Sequence, residues 1–61
     1  MRLIRLQRQV VWPAELPLTD LRGWIRQQLA AEGELLRWAM TEVSANADGE
    51  RTIQLEAVIS A

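Results

Sequence analysis

Apolar and polar residues alternate with a period of two in three stretches of the chain, and in one stretch with a period near that of an α-helix. The first stretch, RLIRLQRQVV, predicts a strand over residues 2–11. Ile4, Leu6, Val10 and Trp12 share one of its faces, and Leu3, Arg5, Gln7, Gln9 and Val11 share the other. Arginines recur here at every third position. On a helix they would gather on one side, but a strand turns Arg2 and Arg8 one way and Arg5 the other, so they form no basic arm. Arg8 is the anomaly, because strict alternation aims it inward among Ile4, Leu6 and Val10. It must reach past the end of a covering helix, be re-aimed by a bulge, or act as an inward charge that discourages unwanted pairing of an edge strand.

Pro13 and Pro17 end this strand and precede the next element, since proline lacks the N–H a ladder needs and holds the residue before it extended. The segment LTDLRGWIRQQLAAEG then predicts a helix over residues 19–32. Thr19 or Asp20 would cap its first N–H groups, and Gly33 would stop it. Leu18, Leu21, Ile25 and Leu29 form an apolar stripe, flanked by Trp24 on one side and by Arg22 and Arg26 on the other. Such a one-sided helix is suited to lie on a sheet.

The remaining two stretches predict strands over residues 35–44 and 51–60, joined by a turn at 45–50 in which Asp48-Gly49 is a strong hairpin signal. Parity constrains the register. A loop of even length sets Trp38 opposite Ile59, Met40 opposite Ala57 and Glu42 opposite Leu55. The inward face then collects Leu36, Trp38 and Met40 with Ile53, Leu55, Ala57 and Ile59. An odd loop would instead set the apolar face of the last strand against Arg37 and Thr41, so the even loop is expected.

Together these elements predict an α+β fold: one small domain, residues 1–61, in the order β-α-β-β. One helix packs on one face of a three-stranded antiparallel sheet of order 1-3-2. The last strand has the most regular alternation, which suits the central position. A parallel pairing of the first two strands through a right-handed crossover is the alternative. The preferred arrangement resembles half of a ferredoxin-like sheet, a likeness of architecture that carries no function with it.

Composition narrows the chemistry. The 61 residues include neither cysteine nor histidine, which removes disulfides, thiolate or imidazole metal sites and Cys/His nucleophiles. The carboxylates Glu15, Asp20, Glu32, Glu34, Glu42, Asp48, Glu50 and Glu56 are scattered over loops, helix ends and strand faces, with no pair placed to converge on a substrate. Asp48-Gly49-Glu50 lacks the alternating oxygen ligands of a calcium loop and reads as a turn. No catalytic residue, cofactor or metal is therefore expected, and the chain is read as non-enzymatic. The first strand threads arginines through its apolar positions and no apolar run approaches the roughly 20 residues that cross a bilayer, so neither a signal peptide nor a membrane span is expected and the cytoplasm is the expected location.

Seven arginines against eight acids give a net charge of −1, which argues against strong sequence-independent binding of nucleic acid. In a domain this small, burial roughly offsets the entropy of ordering the chain, so a partner or a second copy would contribute much. One helix covers one side of the sheet. The uncovered side is the candidate interface: Leu3, Arg5, Gln7, Gln9 and Val11 from the first strand, Arg37, Ala39, Thr41 and Val43 from the second, and Gln54, Glu56 and Val58 from the third. Protein binding through this face or a strand edge, with a homodimer as one form of it, is the leading expectation. The alternative is a nucleic-acid or anion-binding module that uses Arg2, Arg5, Arg22 and Arg26 with Trp24, the Arg22/Arg26 pair being the candidate anion clamp. Trp12 and Trp38 are expected in the core.

Overall fold

The computed structural model describes residues 2–60 and contains β1 (Leu3–Val11), α1 (Leu18–Ala30), β2 (Glu34–Ala45) and β3 (Arg51–Ser60). All three strands are antiparallel, with β3 between β1 and β2. The pairing of β1 with β3 is regular throughout, from Leu3 opposite Ser60 to Val11 opposite Thr52. This sets Ile4, Leu6 and Val10 beside Ile59, Ala57 and Ile53 on the face that α1 covers. Leu21, Ile25 and Leu29 descend from the helix onto that face and, with Ile53, Leu55, Ala57 and Ile59, are the buried hydrophobic residues. Leu6, Val10, Trp12, Leu16, Trp24, Leu35 and Trp38 pack around this centre.

The helix differs from expectation at both ends. It starts at Leu18 with Pro17 as N-cap, and no side chain caps it; Thr19 and Asp20 lie inside the first turn. Leu18, at the head of the predicted stripe, is 71% exposed. Proline suits this position because it preorganises the backbone and the first helical N–H groups have no intrahelical partner to lose. At the other end the helix stops at Ala30, and Glu32 and Gly33 donate backbone N–H groups to the carbonyls of Leu29 and Ala30. Gly33 has φ +152°, and a Cβ there would come within 3.0 Å of both Ile59 Cδ1 and the Ser60 carbonyl oxygen. Glycine is thus required both by the backbone angle and by the closeness of β3.

The hairpin corrects the expected register. The ladder closes at Ala45 opposite Arg51, so residues 46–50 form a loop of odd length. Asn46 organises it: its backbone carbonyl accepts from Gly49 N–H, and its Oδ1 accepts from the N–H groups of both Asp48 and Glu50. Gly49 supplies the positive φ, +82°. Beyond the loop, Glu42 pairs with Gln54, Met40 with Leu55 and Trp38 with Ala57, and the register shifts between Met40 and Glu42 and again between Leu35 and Arg37. Each shift inserts one extra residue, Thr41 and Leu36 respectively. The Thr41 bulge overcomes the parity problem of an odd loop by returning Met40 and Trp38 to the helix side. The Leu36 bulge replaces Leu36 by Leu35 opposite Ile59; Leu35 packs on the core and Leu36 is 48% exposed.

Arg8 takes the first of its three expected routes. Pairing with Leu55 aims it at the helix side, and it extends past the end of α1 to meet Glu32, with Nη2 to Oε2 at 3.0 Å and Nε to Oε1 at 3.3 Å. Its Nη1 donates to the Gln7 carbonyl at 2.9 Å. Trp12 is held at the opposite end of the sheet, where Nε1–H donates to the Leu16 carbonyl at 2.9 Å and the Arg51 guanidinium lies 3.6 Å from the ring centroid.

Two stability outcomes follow from these contacts. Gly33→Ala is expected to lower stability by about 1–3 kcal/mol, the cost of a strained backbone plus displacement of β3, measured by urea denaturation; an unchanged midpoint would count against the close approach. The Arg8–Glu32 pair is partly exposed, with side chains 43% and 38% accessible. A double-mutant cycle with Arg8→Ala and Glu32→Ala should therefore give a coupling of only about 0.5 kcal/mol that fades as salt is raised.

Candidate functional site

The face of the sheet opposite α1 is uncovered, and the ladders define it row by row. From one end to the other the rows are Leu3–Ser60–Glu34, Arg5–Val58–Arg37, Gln7–Glu56–Ala39, Gln9–Gln54–Glu42 and Val11–Thr52–Ser44. Ten of the candidate interface residues named from the sequence, including Gln9, occupy this face. Two do not belong to its rows. Thr41 is the bulged residue and its hydroxyl donates to the Gln54 carbonyl at 3.3 Å; Val43 pairs with Ile53 and so lies on the helix side, 49% exposed. Glu42, which strict alternation turned inward, takes a place on the open face. Bulges are local backbone choices, and nothing in the side-chain pattern marked them.

A shallow depression of about 290 Å³ lies on this face, lined by Arg5, Arg37, Trp38, Ala39, Glu56, Ala57 and Val58. Its centre is apolar, made by Val58 with Ala39 beside it, and the two arginines flank Val58 from the neighbouring strands. The amides tie the face together across strands: Gln54 Nε2 donates to Gln9 Oε1 at 2.9 Å and Gln7 Nε2 to Glu56 Oε1 at 3.4 Å. Among the described residues, Arg8–Glu32 is the single ion pair, and Arg5 and Arg37 make none with them. No side-chain N or O atom among the described residues is buried without a hydrogen bond.

The arginines of the alternative reading are not gathered on one surface. Arg5 is on the open sheet face, whereas Arg22 and Arg26 are on the helix. The Arg22 guanidinium lies 5.1 Å from the ring centroid of Trp38, which joins α1 to β2 by a cation–π contact. Arg2 precedes β1 and is exposed, and Trp24 packs against the core. A second depression, of about 440 Å³, lies between the β1–α1 loop and the hairpin loop, with Trp12, Pro13, Asp48 and Arg51 among its walls. Among the described residues no group of three or more carboxylates is placed to hold a metal ion, and no helix is long and apolar enough to cross a membrane.

No curated protein and no solved structure matches the chain. Residues 4–61 match a family model described as Domain of unknown function (DUF8621). The match spans nearly the whole of the β-α-β-β unit, and the chain belongs to that family.

Proposed function

We propose that this chain is a non-enzymatic protein-interaction module of the cytoplasm that docks through the open face of its sheet. The observation that carries the reading is the pairing of an uncovered, mixed apolar and charged face with two arginines that form no ion pair among the described residues. Protein interfaces tolerate this composition and favour arginine. Surface area supports the reading: the chain exposes 4555 Å², against about 4,000 Å² for an average globular monomer of its mass. The nucleic-acid alternative has less support, since its arginines are divided between two layers and one of them is engaged with Trp38.

Site-specific photocrosslinking in the native cell tests this proposal. A photoreactive residue at Ala39, in the middle row of the open face on the edge strand β2, is expected to give discrete protein adducts, and one at Gln27, on the outer side of α1, is not. Equal labelling at the two positions, or none at Ala39, would sink the proposal.

A further inference from the structure

The open face carries both signs of charge, and their arrangement selects an occupant. We infer that the face is completed by a second copy of this chain, packed sheet against sheet about a two-fold axis that runs across the strands along the Gln7–Glu56–Ala39 row. This rests on the docking role proposed above and names the partner for it.

A two-fold in the interface plane and perpendicular to the strands reverses strand direction but leaves each residue's position across the sheet unchanged. Rows at equal distance on either side of the axis therefore exchange. Arg37 of one copy then faces Glu42 of the other, and Arg5 faces Gln9. At the ends of the face, Leu3, 62% exposed, meets Val11, 49% exposed. Each contact occurs twice, as two-fold symmetry requires. Aligned sheets cross at about 30°, an offset that long arginine and glutamate side chains can span. The other in-plane axis, running along the strands, would set Arg5 on Arg37, a like-charge contact made twice. The preferred axis places the two Glu56 carboxylates near each other, but Arg5 and Arg37 of each copy flank that position diagonally from the adjoining row. The same axis thus gives four arginines around two acids at the centre.

The area is sufficient for a weak dimer. Three strands about 4.8 Å apart and five rows about 6.8 Å apart cover roughly 480 Å² per copy, or about 1,000 Å² in total. That is near the lower bound for a specific interface, so dissociation in the micromolar range is expected.

Within one protomer Arg37 and Glu42 lie two rows apart, about 14 Å, and they do not pair there. Any coupling between them in association is intermolecular. Sedimentation equilibrium of the purified chain from micromolar to millimolar concentration is expected to show a monomer–dimer equilibrium. Arg37→Glu and Glu42→Arg should each weaken it by about tenfold or more, and the double swap should restore it to within a few-fold of the original. Glu56→Gln should weaken it by several-fold, because it removes the two acids that the four central arginines surround. Circular dichroism confirms that each variant is folded; should a swap variant not fold, Glu56→Gln alone still decides by the sign of its effect. A chain that stays monomeric to millimolar concentration overturns the inference, as does a dimer indifferent to all three changes. Adducts between Ala39 and a different protein, with the purified chain monomeric, would reject the second copy and leave docking through this face standing.

Discussion

A single apolar stripe of one helix, set against the central strand, is the constraint on which the rest of this domain depends. Leu21, Ile25 and Leu29 are the helix's buried residues, and all four of the sheet's buried residues come from β3. The outer strands contribute partly covered side chains around that line. A helix of 13 residues is about 20 Å long, whereas the strands it lies on extend to about 30 Å or more. It therefore shields the middle of one face and leaves the other face untouched. The exposed character of β2 from Thr41 onward and the bareness of the far face have this one cause.

Much of this arrangement is legible in the sequence because burial was read through periodicity. The alternation of Ile53, Leu55, Ala57 and Ile59 marks β3 as the strand with one side wholly covered, and from that its central place follows. The i, i+4 spacing of Leu21, Ile25 and Leu29 marks the helix face in the same way. What the pattern could not convey was backbone irregularity. An odd hairpin loop looked unacceptable because it set Thr41 against Leu55, and one inserted residue, Thr41 itself, made it acceptable. Alternation counts side chains and assumes a regular ladder, so a bulge is invisible until the strands are paired.

The same limit applies to the candidate interface. Most of its residues were found because β1 and β3 pair without interruption. Val43 and Glu42 exchanged faces because both follow the Thr41 bulge. Arg8 was anomalous only for a residue that must end where its Cβ points. Its long side chain carries the charge beyond the helix end, where Glu32 and solvent both reach it. The hairpin loop likewise depended less on Asp48-Gly49 as a two-residue turn than on the side chain of Asn46, which accepts from two backbone N–H groups.

The pairing of Leu3 with Ser60 joins the first strand to the last across almost the full length of the chain. During synthesis β1 leaves the ribosome before α1, β2 and β3, yet the strand it pairs with, β3, follows the other two. Until then its apolar residues have no sheet to join, and closing so long a loop is entropically slower than forming the local β2–β3 hairpin. Arginine and glutamine at Arg2, Arg5, Gln7, Arg8 and Gln9 leave no apolar run longer than Leu3-Ile4 in that waiting segment before Val10. The polar residues of β1 thus serve the nascent chain as well as the finished fold, keeping an unmatched strand hydrated while the rest of the domain is being made.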